Sequence, residues 1–140
     1  VSHLLDTNVI SELRKPAGRA SDQVRDWVRG QLASTLFLSA IMILEIDLGI
    51  RRRRRRDPEQ ADLLQRWLEG GVLATFDGRI LRVDVAVTRR AAALHVPDPR
   101  PERDALIGAT ALVPDLTVVT RNVSDFCTIG VEIRDPWSSS

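Results

Sequence analysis

The stretch His3-Leu4-Leu5-Asp6-Thr7-Asn8-Val9-Ile10-Ser11-Glu12-Leu13 decides how the chain is read. A short apolar run ends in a carboxylate, and a helical pattern follows at once. His3–Leu5 reads as a strand, Thr7 as an N-cap, and Val9, Ile10 and Leu13 share one helical face. In an open α/β sheet, side chains just past the carboxyl end of a strand line the ligand crevice. Asp6 therefore stands where chemistry is expected. The plainer reading makes it a helix cap that complements the macrodipole. The positions of the other acids weigh between the two.

At 140 residues, with 44% apolar and 28% charged residues, the sequence reads as one globular domain over residues 1–137 and a short tail over 138–140. No apolar run nears the ~18 residues that a membrane-spanning helix needs, and no signal peptide is evident at the start. Cys127 is the only cysteine, which rules out an internal disulfide and disfavours cysteine-based zinc. A cytoplasmic, reducing location fits that usage. The net charge is +1, so no global polyanion-binding signature exists. The basic residues are nevertheless unusual: Lys15 is the only lysine among 20, and six arginines form the run Arg51–Arg56. Guanidinium is the better fork for phosphate, which keeps local nucleic-acid contact open.

Along the chain, strand and helix patterns alternate. Ser21 caps a helix to about Gln31, with Trp27 as a core residue rather than a stacking platform. Thr35–Leu38 is a strand, and Ser39 caps a helix over Ala40–Ile50 that is apolar nearly all round, implying burial on several sides. Glu45 interrupts that helix and needs a cation, a donor or a metal. Asp47 points to another face. The arginine run reads either as a solvated helix end that complements the dipole or as a phosphate-contacting edge, carried first by Arg51, Arg52 and Arg53.

Asp57-Pro58 opens a further helix, which Gly70-Gly71 is expected to stop. Asp77-Gly78 is a turn, Arg79–Val83 a strand, and Asp84 a cap rather than a catalyst. The three prolines between His95 and Glu102 mark a surface loop in which His95 is incidental. Arg103–Leu112 is a helix carrying Asp104 in its first turn, with Gly108, Ala109 and Ala111 small enough for close approach to a sheet. Thr117–Thr120 is the clearest strand, Arg121–Phe126 follows it, and Val131–Ile133 is a last edge strand.

Short connections between alternating elements argue an α/β fold with a mainly parallel sheet. In such a fold Asp6, Glu45, Asp104 and the Asn122/Asp125 pair can all face one sheet end. Carboxylates that converge without His or Cys repel one another unless a cation joins them. All-oxygen ligation favours Mg²⁺, with Mn²⁺ also possible. Such ions serve phosphodiester chemistry by activating water and offsetting charge on oxygen. The residues therefore point to a metal-dependent phosphoryl-transfer site.

Four blocks in order, Leu5–Glu12, Glu45, Asp104–Ala111 and Thr120–Phe126, resemble the PIN-domain ribonucleases, and most of all the VapC/FitB-type toxins of toxin–antitoxin pairs. The resemblance spans almost the whole chain, including the closing Pro136-Trp137. It implies a three-layer α/β/α fold with a five-stranded parallel sheet, a Mg²⁺ or Mn²⁺ endoribonuclease, a homodimer or toxin–antitoxin hetero-oligomer, and an antitoxin whose tail occludes the site. It makes Asp6, Glu45 and Asp104 acidic ligands. Asp125 or Asn122 completes the set, and Thr7 or Thr120 orients ligands or water. Gly108 stands where alanine is usual, and the arginine run has no counterpart in the family pattern.

Two other acid-based classes fit poorly. Haloacid-dehalogenase-like phosphatases need a second carboxylate where Asn8 stands, and they and receiver-type domains use a downstream lysine that this chain lacks. The remaining rival is a PIN-fold module that binds RNA or an antitoxin with idle acids.

Overall fold

The computed structural model describes residues 1–138; the expected tail lies, past Ser138, outside the described residues. Five parallel strands form one sheet in the order β3-β2-β1-β4-β5, flanked by helices in an α/β/α arrangement. The strands are β1 (His3–Leu5), β2 (Leu36–Ser39), β3 (Ile80–Leu81), β4 (Thr117–Val119) and β5 (Ile133–Arg134). β1 is central, with His3 in register with Leu36 on one side and Thr117 on the other. Its Leu4 and Leu5 are fully buried, as is usual for a parallel sheet covered on both faces. Strand order reverses between β1 and β4. Such a switch point opens a crevice at the carboxyl ends of the two strands.

Helix α1 (Thr7–Arg14) starts directly after β1 and α2 (Asp22–Arg29) follows. Asp6, not Thr7, is the N-cap of α1; its backbone is extended and its side chain accepts from Thr7 N. Ser21 caps α2 as its hydroxyl accepts from Val24 N. Trp27 is half-buried, its ring edge-on to His3 at 4.9 Å between centroids. Glu12, buried near the end of α1, accepts from Ser21 N and Lys15 Nζ, both at 3.0 Å, and so ties α1 to α2.

Helix α3 (Ala40–Arg54) is longer than its apolar part and carries Arg51–Arg54 in its last turn. Only Met42, Ile46 and Ile50 of this helix are buried, while Leu44 stays half-exposed. Residues 42, 46 and 50 form one stripe at a spacing of four, and 44 falls on the other side.

The glycine pair does not stop the following helix. α4 (Pro58–Arg66), capped by Asp57, continues as a π-helical segment (Trp67–Val72) and a last turn, α5 (Leu73–Thr75). Burial of Leu68, Val72 and Phe76 keeps the chain helical, so packing overrides glycine propensity. The reversal comes at Asp77-Gly78, where Gly78 takes φ +79°. β3 is consequently shorter than the expected strand, and the last strand lies at Ile133–Arg134 rather than Val131–Ile133.

Asp84 does cap α6 (Val85–Leu94), accepting from Val87 N at 3.0 Å. His95 accepts from Arg100 N at 3.1 Å and thus braces its loop. In α7 (Glu102–Leu112) the small residues mostly serve another helix: Ala105 and Ala109 pack with Val87 and Ala91 of α6. A Cβ at Gly108 would meet Ile129 Cδ1 at 3.0 Å, so this glycine admits the Ile129 side chain rather than the sheet. α8 (Val123–Phe126) follows β4 and buries Phe126 completely.

Candidate active site

The crevice at the switch point is a cleft of about 400 Å³ lined by Asp6, Glu45, Asp104 and Asp125 with Thr7, Asn8 and Asn122. Each acid arrives on a different element. Asp6 ends β1, Glu45 lies in the second turn of α3, Asp104 in the first turn of α7, and Asp125 in α8. The sequence-derived acids are therefore brought to one place.

Asp6 is buried and doubly held. One carboxylate oxygen accepts from Thr7 N at 2.8 Å, and the other accepts from the Thr120 hydroxyl at 2.8 Å. Capping and site membership are thus not alternatives, because one oxygen serves each. Burial pushes the Asp6 carboxyl above its ordinary range, and the Asp125 charge adds to this, outweighing the downward pull of Thr120 and Thr7. Asp104 is raised in the same way, first by burial and then by Asp125, Asp6 and Glu45. Asp104 thus senses the other three acids as like charges, and Asp6 senses Asp125.

Glu45 has the partners that its position in an apolar helix demanded. It accepts from the Thr7 hydroxyl at 2.8 Å and has the Arg103 guanidinium 3.8 Å away. Thr120, with no exposed surface, is a hub. Its hydroxyl donates to Asp6 and accepts from Asn122 N at 2.9 Å and Asn8 Nδ2 at 3.2 Å. Asn8 also reaches Asp6 at 3.4 Å and accepts from Arg121 N at 3.4 Å, tying the ends of β1 and β4 together. Asn8, Ser11 and Arg103 were not singled out from the sequence. Asn8 was legible, as an amide two residues past a strand-end acid at the start of a helix.

The arginines divide. Arg51 pairs with Asp47 at 3.3 Å and is not in the lining of the acidic cleft, whereas Arg52 and Arg53 line a second groove, also without Arg51, that shares Thr7, Ser11 and Glu45 with the acidic one. Arg56, the last of the run, lines it as well, as does Arg14, which the sequence reading misses. For Arg52 the signal is helical period, since positions 49 and 52 lie four and seven residues past Glu45.

A PIN domain model matches residues 3–131. This chain belongs to the PIN-domain family. The "VapC ribonuclease Y4jK" of Sinorhizobium fredii is 34% identical over 139 residues, 96% of each chain. "Toxin FitB" of Neisseria gonorrhoeae is 34% identical over 140 residues, 96% of this chain and 97% of that one. The crystal structure of FitAcB from Neisseria gonorrhoeae superposes with a TM-score of 0.86 at 32% identity, covering 96% of this PIN domain and 98% of that chain.

As a donor set, four carboxylates with hydroxyl and amide oxygens fit a hard divalent cation. The burial and like charge that raise Asp6 and Asp104 are the strain that such a cation relieves. Among the described residues, however, no three Asp, Glu, His or Cys side chains are gathered closely enough to hold an ion. Ligation therefore requires side-chain rotation, for which the exposed Asp125 has freedom. No helix among the described residues is long and apolar enough to cross a membrane.

Proposed function

We propose that this PIN domain is a Mg²⁺- or Mn²⁺-dependent endoribonuclease, the toxin of a toxin–antitoxin pair. The observation that carries the reading is the meeting of Asp6, Glu45, Asp104 and Asp125 in one cleft at the switch point. Membership of a family whose relatives are named ribonucleases and toxins supports it. Asp6, Glu45 and Asp104 are the core acidic ligands that would hold the ion, with Asp125 completing the set and Asn122 supporting it. When bound, such a cation lowers the pKa of a water and offsets charge on the phosphodiester oxygens.

The chain's own groups do the positioning. Thr120 fixes which Asp6 oxygen stays free of the α1 cap, and Thr7 holds Glu45. Arg103, beside Glu45, can orient a phosphate entering the cleft. The expected partners are an RNA substrate, a cognate antitoxin, and a second copy or a toxin–antitoxin hetero-oligomer.

The test is cleavage of RNA by antitoxin-free protein in Mg²⁺, in EDTA, and by Asp6→Asn. New RNA ends that require the ion and vanish in the variant support the reading. The open spacing of the acids favours a second reading, a PIN-fold module that binds RNA or an antitoxin without cutting. Folded protein that binds RNA but makes no new ends in either metal would select it.

A further inference from the structure

The larger groove, about 630 Å³, opens into the acidic cleft through their common walls Thr7, Ser11 and Glu45. Along one side of α3 the lining residues run Glu45, Gly49 and Arg52, and Arg56 follows in the turn past the helix end, so a carboxylate at the cleft gives way to guanidiniums further along. At 1.5 Å per residue, Arg52 lies roughly 10 Å along the helix axis from Glu45. Gly49 forms a gap in that row; a Cβ there would meet nothing within 4 Å. Arg14, at the end of α1, closes the other side, its guanidinium 5.7 Å from the Trp67 ring centroid. Ile50 and Leu64 add apolar surface between the charges.

Which arginines are free decides what the groove can bind. Arg51 is engaged by Asp47, and Arg54 donates to Asp62 and Gln65, each at 2.7 Å. The side chains of Arg52 and Arg56 have no ion pair or hydrogen bond among the described residues. Arg53 reaches Asp57 only at 3.8 Å, and its Nε is buried with no partner among the described residues. A buried N–H left unpaired is costly, and a ligand oxygen satisfies it.

We propose that this groove is the path of single-stranded RNA into the acidic cleft, with Arg14, Arg52, Arg53 and Arg56 contacting its phosphates. The proposal rests on the ribonuclease reading for the identity of the nucleic acid. Guanidiniums interleaved with apolar surface match a single strand, whose backbone is anionic and whose bases expose flat apolar faces. A duplex hides those faces. Trp67 acts on Arg14 as a positioning residue, holding the guanidinium over its ring.

The test measures binding of a fluorescent random-sequence single-stranded RNA in EDTA, across a salt series, for the full chain. Arg52→Gln/Arg56→Gln is compared with wild type and with Arg51→Gln, whose arginine faces Asp47 instead. Loss of two phosphate contacts lowers the slope of log affinity against log salt by about 1.4. The Arg51→Gln slope stays at the wild-type value. An unchanged slope in the double variant overturns the proposal. So does a wild type that binds a polyglutamate peptide in preference to RNA and loses that binding in the double variant, which assigns the groove to an acidic protein partner. Wild-type RNA cleavage in Mg²⁺ reports on the ribonuclease reading separately. Cleavage with an unmoved slope removes the groove alone, and a fallen slope without cleavage leaves an RNA-binding path and removes hydrolysis.

Discussion

Replacing Asp104 by Asn should make the metal-free protein more stable while it destroys the acidic set. Asp104 is half-buried in the first turn of α7, and its carboxyl is raised first by burial and then by Asp125, Asp6 and Glu45. Two effects oppose each other when the charge is removed. An acid near a helix N-terminus gains about 0.3–1 kcal/mol from the dipole, which the variant gives up. Against this stand partial desolvation and three like charges, which raise the carboxyl. Relief of such strained functional charges typically yields about 0.5–2 kcal/mol. For 140 residues at about 2.1 cal/mol/K each, the unfolding entropy is roughly 0.3 kcal/mol/K, so a gain of about 1 kcal/mol raises Tm by about 3 °C.

The pH dependence has a definite sign. Because the folded pKa is raised, the folded chain holds this proton over a window in which the unfolded chain has lost it. Wild-type stability therefore falls as pH rises through that window and is flat above it. Asp104→Asn lacks this loss. Its advantage is absent where Asp104 is protonated in both states, opens through the window, and is constant above it. Calorimetry of both proteins in EDTA at pH 7 and pH 3 measures this. A variant with equal or lower Tm at pH 7, or a gap that does not close at pH 3, refutes the repulsion account. Adding Mg²⁺ should then favour wild type, because ion binding to the folded state is lost with the ligand.

Thr120→Val keeps the shape of the side chain but removes the hydroxyl that joins Asp6, Asn8 and Asn122. A loss of about 2–3 kcal/mol is expected from urea midpoints, together with an acid limb of any cleavage profile moved to higher pH, since Asp6 loses a bond that favours its charge. Glu12→Gln should cost about 1–2 kcal/mol at pH 7, because the depressed pKa of Glu12 comes from Lys15 and Ser21 N. That contribution is present above the unfolded glutamate pKa and is lost as pH falls through the folded one, so the two urea curves should converge on acidification. Gly49→Ala should raise stability by about 0.5–1 kcal/mol in thermal melts, as a helical glycine with open space at its Cβ gains helix propensity at no steric cost.

The parallel α/β architecture was legible because apolar runs ending in Asp6, Ser39 and Thr120 each feed a helix or turn, a pattern that only crossover connections satisfy. The acids were legible for the same reason: Asp6 and Asp125 follow β1 and β4, and Glu45 and Asp104 lie near the starts of α3 and α7, which the topology brings to the same crevice. Continuation of α4 through Gly70-Gly71 was not, because it depends on Leu68 and Val72 finding the core, and propensity alone does not report that. The ends of β3 and β5 depend on pairing with neighbours and shifted with it. Asp6 was posed as cap or site residue, yet its two oxygens divide the work, which is geometry below the level of sequence.

The arginine run shows how one segment is divided between structure and binding. In sequence the six guanidiniums form a single block, either a solvated dipole complement or a phosphate edge, and α3 holds the first four of them. Helical period separates them, because successive residues turn by about 100° and cannot all share a face. Arg51 falls on the Asp47 side and Arg54 on the Asp62 side, so these two fasten α3 to itself and to α4. Arg52 falls on the Glu45 side and Arg56 follows in the turn past the helix end, and among the described residues no acid pairs with either side chain. Had the run evolved only to complement the helix dipole, partners on every face would serve equally well. Pairing two arginines while leaving unpaired the two that flank the groove concentrates uncompensated positive charge beside the acidic cleft. An anionic strand meets that charge before it meets the carboxylates, which otherwise repel it. Arg52→Gln/Arg56→Gln should therefore slow RNA association more than it speeds dissociation, and stopped-flow binding at low salt resolves the two.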